Sequence, residues 1–78
     1  MAESLFNPFS PVPLYVQAAD RIAAQIASGE LVKDQRLPSE RDLAGQWGIA
    51  YLTVRRAMRE LRERGLVTSV PGKGTYVL

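Results

Sequence analysis

The junction from Gly48 to Ala50 constrains the fold of this chain more than any other feature of its sequence. Only Gly48, Ile49 and Ala50 separate two stretches in which apolar residues recur every three or four positions. The first of these stretches follows Ser39, whose hydroxyl can accept a hydrogen bond from a free backbone N–H at the start of a helix. Two helices joined by three or four residues that include glycine are typical of a helix-turn-helix. The sequence therefore predicts this motif at the centre of the chain.

A further amphipathic stretch precedes the motif. Between Tyr15 and Ser28 the apolar residues recur at helical spacing, and polar residues fill the other side. These apolar residues are Val16, Ala19, Ile22, Ala23 and Ile26. Pro13 suits the position just before a helix, and Gly29 suits the left-handed residue that ends one. We therefore expect a first helix from Tyr15 to Ser28, followed by a short extended piece at Gln35–Leu37, because Pro38 disfavours helical geometry before it.

The third amphipathic stretch is apolar on one side and cationic on the other. Its apolar stripe consists of Val54, Ala57, Met58 and Leu61, and the stretch ends at Gly65. At about 100° per residue, four arginines share one exposed arc. They are Arg55, Arg56, Arg59 and Arg62.

Two interpretations of this arc remain open from the pattern alone. A helix fits the major groove of B-DNA, where guanidinium groups neutralise phosphates or pair with guanine. The alternative is a solvated face in which arginines pair with glutamates four residues on. The pairs would be Arg56 with Glu60 and Arg59 with Glu63.

Beyond Gly65 the pattern changes to that of a β-hairpin. The segments Leu66–Val70 and Thr75–Leu78 are rich in β-branched and aromatic residues, and Pro71-Gly72-Lys73-Gly74 between them is a turn signal. A two-stranded hairpin is marginal by itself, so it must pack on the helices. The glycines at its tip would let the backbone approach another surface closely, and Lys73 could neutralise a phosphate. The alternative is an ordinary turn without a binding role.

The start of the chain differs from the rest. Residues 1–13 contain Pro8, Pro11 and Pro13, which exclude a regular helix, so we expect a flexible arm there and one folded domain over residues 14–78. Phe6 and Phe9 in this arm either pack on the core or contact a partner.

The first residues lack a signal-peptide pattern, and no apolar run approaches the roughly 18 residues of a membrane span. The expected location is the cytoplasm, with no membrane association.

The composition argues against an enzyme. The chain has no cysteine and no histidine, so thiolate zinc sites, cysteine nucleophiles and histidine bases are excluded. No nucleophile–base pair or carboxylate pair emerges from the spacing. We therefore expect no catalytic residues, no cofactor and no metal.

Charge is unevenly divided along the chain. Residues 1–34 hold two basic and four acidic side chains, while residues 35–78 hold eight basic and four acidic side chains. This asymmetry favours a polyanionic partner for the second part of the chain.

The ordered combination of these motifs closely resembles the winged-helix DNA-binding domain of GntR-type bacterial transcription regulators. The matching segments include Pro13-Leu14-Tyr15, Ser28-Gly29-Glu30-Leu31, Arg36-Leu37-Pro38-Ser39-Glu40-Arg41-Asp42-Leu43-Ala44, Thr53-Val54-Arg55-Arg56-Ala57, Gly65-Leu66-Val67 and Gly72-Lys73-Gly74-Thr75-Tyr76-Val77. The resemblance implies a mainly α fold with a small β-hairpin (α+β), the three-helix winged helix-turn-helix. Relatives generally carry a second, C-terminal domain that binds an effector or dimerises. This chain therefore resembles either an excised DNA-binding domain or a minimal member, and we expect no effector site within it.

By this resemblance, DNA is contacted by Arg41, Thr53, Arg55, Gly72 and Lys73. The exposed arc and its beginning add further candidates, including Leu52, whose side chain suits a thymine methyl. The full set of candidate DNA-binding residues is Arg41, Tyr51, Leu52, Thr53, Arg55, Arg56, Arg59, Gly72 and Lys73. Two alternatives remain open: a surface salt bridge for Arg41, and capping of the third helix for Thr53.

The chain departs from the family pattern at two places. Family members usually have serine or threonine followed by arginine where this chain has Ala50 and Tyr51, so a hydroxyl cap and one DNA-contacting arginine are missing. Lys33-Asp34 stands where proline-glycine is common, a change that we expect to affect only a turn.

The expected function is that of a sequence-specific regulator of transcription, a repressor, that binds double-stranded DNA. The third helix would lie in the major groove, the wing would contact the minor groove or phosphates, and a homodimer would occupy a two-fold symmetric operator. The alternative is a winged-helix protein-interaction module without specific DNA binding. Its contacts would be Leu52, Tyr51 and the two phenylalanines of the arm.

Overall fold

Three helices and a C-terminal hairpin follow one another in the order that the sequence predicts. The computed structural model describes residues 6–78. Its elements are α1 (Leu14–Ala27), α2 (Glu40–Trp47), α3 (Tyr51–Glu63), β1 (Val67–Val70) and β2 (Gly74–Val77). This arrangement is the winged helix-turn-helix, so the predicted fold class is confirmed. In the described part of the chain, no helix is both long enough and apolar enough to cross a bilayer.

The core lies where α1 and the hairpin pack against α3. The predicted apolar stripe of α3 is buried, since Val54, Ala57 and Leu61 have no solvent-exposed surface and Met58 almost none. Buried residues from the other elements complete this cluster; they are Phe6, Ala18, Ala19, Ile22, Leu37, Leu43, Val67 and Val77. Burial of this stripe fixes the rotation of α3 and turns its cationic side to solvent.

Hydrogen bonds at both ends keep α2 short. At its start the Asp42 N–H donates to the Ser39 hydroxyl oxygen over 3.0 Å, as the sequence predicts. At its end Gly48 takes φ 66°, in the left-handed region that favours glycine, and its N–H donates to the Ala44 carbonyl over 2.9 Å. The chain therefore turns within a few residues, and the beginning of α3 stands clear of the core.

The hairpin has a third partner next to β2. Its two strands pair in antiparallel register, from Val67 opposite Val77 to Val70 opposite Gly74. The extended piece before Pro38 joins β2 through a bridge between Arg36 and Tyr76. In this bridge the Leu37 N–H donates to the Thr75 carbonyl over 2.8 Å, and the Val77 N–H donates to the Gln35 carbonyl over 2.9 Å. The extended piece predicted before Pro38 is therefore confirmed, and it anchors the wing to the helices.

The described part of the N-terminal arm contacts the helices. Phe6 is only 6% exposed, and its ring meets that of Trp47 edge-on with the centroids 5.5 Å apart. The Gln17 side-chain amide donates to the carbonyls of Asn7 and Val12 over 2.9 and 2.8 Å. Phe9, in contrast, is 94% exposed. The expected flexible arm includes residues 1–5, which lie outside the described residues, and a domain boundary at residue 13 remains a prediction.

Arg64 ties the end of α3 to α1. Its guanidinium donates to Glu60 and to Asp20, each over 2.8 Å. These hydrogen bonds raise the pKa of Arg64 above its ordinary value, and the bond to Glu60 has the larger effect.

In the turn after α1, Asp34 takes φ 69°, which is left-handed geometry. That geometry accounts for the glycine that the family commonly has at this point.

Candidate nucleic-acid interface

The arginines of the α3 arc are exposed. Arg55, Arg56, Arg59 and Arg62 all lie in solvent, opposite the buried stripe. Within residues 6–78, neither Arg56 nor Arg59 forms an ion pair with the glutamate four residues on. Glu60 instead binds Arg64. The two pairs that the alternative invokes are therefore absent from the described residues, and the solvent exposure of the four arginines is compatible with either interpretation.

Tyr51 lies between two of the candidate arginines. As the first residue of α3 it faces the start of α2 across the glycine turn. The guanidinium carbon of Arg41 lies 4.5 Å from the centroid of its ring, and that of Arg55 lies 5.9 Å away. Both distances suit attraction between a cation and an aromatic ring. Within the described chain Arg41 forms no ion pair, so a surface salt bridge is not its role.

Arg55 has a second neighbour. Its Nε lies 3.7 Å from Oε1 of Glu40, and its side chain is 59% exposed. An exposed ion pair of this kind contributes little free energy and exchanges readily for another anion. The guanidinium is thus oriented by the ring of Tyr51 and the carboxylate of Glu40 without being buried by either.

The start of α3 has no side-chain cap. Its N-cap position is Ala50, in extended geometry, and no side chain there accepts a hydrogen bond. Thr53 is the third residue of the helix and is half-buried. The alternative in which Thr53 caps α3 is therefore wrong. The loss of the hydroxyl cap that the family pattern would supply is visible in the structure.

A cleft separates α3 from the hairpin. Its volume is about 570 Å³, and the start of α2, at Ser39 and Glu40, forms part of its lining. Four of the predicted site residues line it, namely Arg55, Arg59, Gly72 and Lys73. Two arginines that the predicted site does not include, Arg36 and Arg62, also line it. Glu40 is the one carboxylate among its lining residues, so the cleft is strongly cationic.

Three further α3 candidates lie beside the start of α1. Leu52, Thr53 and Arg56 line a second depression of about 420 Å³ together with Tyr15 at the start of α1. The guanidinium carbon of Arg56 lies 3.9 Å from the centroid of the Tyr15 ring. Leu52 is 72% exposed. The predicted site thus includes a group beside the wing, a group beside the start of α1, and the pair Arg41 and Tyr51 at the turn between α2 and α3.

Arg36 and Arg62, the two cleft arginines outside the predicted site, differ in how far the sequence indicates their positions. Arg62 belongs to the exposed arc, so its place in the cleft follows from the helical periodicity. Arg36 lies in the extended piece, four residues before α2, and its place in the cleft depends on the pairing of that piece with β2. The sequence predicts the extended piece but not the strand with which it pairs, so no local signal places Arg36 in the cleft.

Comparisons with known proteins agree with this architecture. A family model described as "Bacterial regulatory proteins, gntR family" matches residues 14–77. The chain is 45% identical over 71 residues to the HTH-type transcriptional repressor NagR of Bacillus subtilis (strain 168), covering 91% of this chain and 29% of NagR. It is 49% identical over 65 residues to the mannosyl-D-glycerate transport/metabolism system repressor MngR of Escherichia coli (strain K12), covering 83% of this chain and 27% of MngR. The chain therefore spans less than a third of the length of either relative.

A solved structure gives the same result in three dimensions. The DNA-binding domain of AraR, crystallised in complex with operator ORX1, superimposes with a TM-score of 0.85 at 36% identity. The match covers 94% of this chain and 90% of the AraR domain. The family match over residues 14–77 and the shared fold lead to one conclusion: the chain belongs to the GntR family of bacterial regulatory proteins, which are transcription regulators and not enzymes.

Proposed function

We propose that this chain binds double-stranded DNA in a sequence-specific manner and represses transcription by occupying an operator. The observation that carries the proposal is the exposed cationic arc of α3, with Arg41 beside the first residue of the helix and Lys73 of the wing across the cleft. The AraR domain, which has the same fold, is bound to its operator in the crystal. NagR and MngR are both named as repressors, which supports repression by this chain.

In this proposal α3 lies in the major groove with its first half against the base edges. Arg55 pairs with guanine or binds a phosphate, and Thr53 contacts a phosphate or a base edge. Tyr51 orients the two guanidinium groups beside it. Leu52 packs against a thymine methyl, and Arg56 and Arg59 bind phosphates along the groove.

The wing makes the sequence-independent contacts. Gly72 takes φ 76° at the tip of the hairpin, and nothing lies within 4 Å of the position that its Cβ would occupy. The backbone of the tip can therefore approach the minor groove or its phosphate rim closely, and Lys73 beside it neutralises phosphate.

A single module of this size is expected to bury roughly 600–1,000 Å² on DNA, which limits its affinity. We therefore propose that two copies bind a two-fold symmetric operator, with half-sites about one helical turn apart. Each copy would place its α3 in a successive major groove on the same side of the duplex.

The proposal is tested by selecting bound duplexes from a random pool with this chain and measuring affinity for the selected and for scrambled duplexes across a salt series. We expect enrichment of a symmetric motif, a footprint that accommodates two copies, and a steep decrease in affinity with salt because phosphate contacts release counterions. A nearly flat salt dependence, or equal affinity for selected and scrambled duplexes, would remove the proposal and leave the protein-interaction module as the better account.

A further inference from the structure

The cleft between α3 and the wing concentrates positive charge. Five cationic side chains line it, and one carboxylate, that of Glu40, opposes them. The net charge of the whole chain is only +2. The cleft is open to solvent and its cations are not buried, so their mutual repulsion is relieved most effectively by an anion that spans its length.

Arg36 is held at the wing side of this cleft by its backbone. The bridge with Tyr76 and the hydrogen bond from the Leu37 N–H to the Thr75 carbonyl, 2.8 Å long, fix the main chain on both sides of its Cα. Its side chain crosses Gly74, because a Cβ added to Gly74 would lie 2.8 Å from Nε of Arg36. The absence of a side chain at Gly74 thus gives the guanidinium its path. In the described chain Arg36 forms no ion pair.

Arg62, near the end of α3, is tied to the wing by a hydrogen bond. Its Nη1 donates to the hydroxyl oxygen of Ser69 over 3.0 Å, and that oxygen lies 3.3 Å from the hydroxyl oxygen of Thr75. A guanidinium group has five N–H donors, and this hydrogen bond uses one of them. Arg62 therefore links the end of α3 to β1 while most of its donors remain available.

The geometry of B-DNA identifies the occupant of such a cleft. Two adjacent grooves are separated by one sugar-phosphate backbone. A protein that places a helix in the major groove and a wing in the neighbouring minor groove must straddle that backbone. The space between helix and wing then receives phosphates, each of which carries one negative charge.

We propose that Arg36 and Arg62 bind the phosphates of the DNA strand that passes between α3 and the wing, an inference that rests on the proposed DNA-binding function. Arg36 reaches this strand from its position across Gly74 of β2, and Arg62 reaches it from the end of α3, where it is linked to β1. They add affinity without base discrimination, because phosphates are the same in every sequence.

The test compares Arg36→Gln and Arg62→Gln with the wild-type chain on the selected duplex. Each variant should lower the magnitude of the slope of log K against log salt by about 0.9, the value for one lost phosphate contact. Raising the salt from about 50 to about 200 mM should then weaken wild-type binding about three-fold more than it weakens the variant. Arg36→Lys, which keeps the charge, should keep most of the slope. Lys33→Gln, which removes an exposed cation outside the cleft, should keep all of it.

A second measurement locates the contact and separates it from a structural role. A duplex in which one phosphate is replaced by an uncharged methylphosphonate is made for each position between the α3 footprint and the wing footprint. At the straddled phosphate this replacement should weaken the wild type and leave the Arg36→Gln variant unaffected. Thermal melting of each variant checks that the fold is retained.

The outcomes separate the two proposals. A wild-type chain that prefers the selected duplex and shows a steep salt slope, combined with variants whose slopes equal the wild-type slope, would overturn the phosphate contacts and leave the DNA-binding function standing. Methylphosphonate effects that are equal in the wild type and Arg36→Gln would overturn the contact of Arg36 even if its affinity decreases. A wild-type chain without preference or salt dependence would overturn the function itself.

Discussion

The guanidinium carbon of Arg41 lies 4.5 Å from the centroid of the Tyr51 ring, across the turn that joins α2 to α3. Arg55 approaches the same ring from within α3 at 5.9 Å. One aromatic side chain therefore sets the positions of two cations that belong to different helices. Family members usually have an arginine where this chain has Tyr51. In this chain the ring replaces that charge with an orienting surface for its neighbours.

Replacing Tyr51 with alanine should weaken binding to the selected duplex. Without the ring, Arg41 and Arg55 must be ordered on binding, at a cost of roughly 0.5–1.5 kcal/mol for each side chain, so affinity should decrease roughly 5-fold or more. Tyr51→Phe keeps the ring and should bind within about two-fold of the wild type by the same argument. Titration of a labelled duplex measures all three proteins. An alanine variant that binds as tightly as the wild type would show that the ring does not position these arginines.

Arg55 and Lys73 should differ in what they contribute. Arg55→Ala should reduce affinity by roughly 1–3 kcal/mol on the preferred duplex and relax the base preference at one position of each half-site. Lys73→Ala should weaken binding to all duplexes by about the same factor, because the wing contacts phosphate. A panel of duplexes with single base changes makes the comparison. The reverse pattern, with base preference altered by Lys73→Ala alone, would contradict the assigned roles.

The two phenylalanines of the arm provide a matched pair for stability. Phe6 is buried against Trp47, and truncation of a buried phenylalanine costs roughly 3 kcal/mol or more, so Phe6→Ala should lower the free energy of unfolding by about that amount. Phe9 is exposed, and Phe9→Ala should change it by less than about 0.5 kcal/mol. Chemical denaturation followed by the fluorescence of Trp47, the one tryptophan in the chain, reports both effects. Equal stabilities of the two variants would contradict the packing of Phe6.

The contacts of Arg64 should stabilise the fold modestly. Its ion pairs with Glu60 and Asp20 are partly exposed, so Arg64→Ala should lower the free energy of unfolding by about 1 kcal/mol at low salt. In about 1 M salt the difference from the wild type should shrink, because screening acts on exposed charges. Thermal melting of both proteins at low salt and at high salt measures this difference in stability. A loss that does not depend on salt would assign the effect to packing of the side chain.

The sequence predicts the elements of this fold because each has a local cause. The stripe from Val54 to Leu61, the cap at Ser39 and the turn at Gly48 all act within a few residues, so their periodicity and residue types are sufficient. The burial of that stripe also fixes which residues of α3 are exposed. The cationic arc of α3 therefore follows from the sequence alone.

The contacts that complete the site join residues distant in sequence, and local patterns carry no information about them. Arg36 reaches the cleft only because its segment pairs with β2, and that pairing spans forty positions of the chain. The stacking of Arg41 on Tyr51 depends on how sharply the turn at Gly48 folds. Even Arg56, which the helical pattern assigns to the arc, lies on Tyr15 of α1 in the folded chain.

The most direct test of the central claim, that the cationic side of α3 and the wing grip a duplex together, is chemical-shift mapping of the labelled chain with the selected duplex. The account predicts that the largest changes in backbone amide shifts occur at Arg41, Thr53, Arg55 and Lys73, and that a scrambled duplex produces smaller ones. Changes confined to the exposed side of α1, or identical changes with both duplexes, would contradict it.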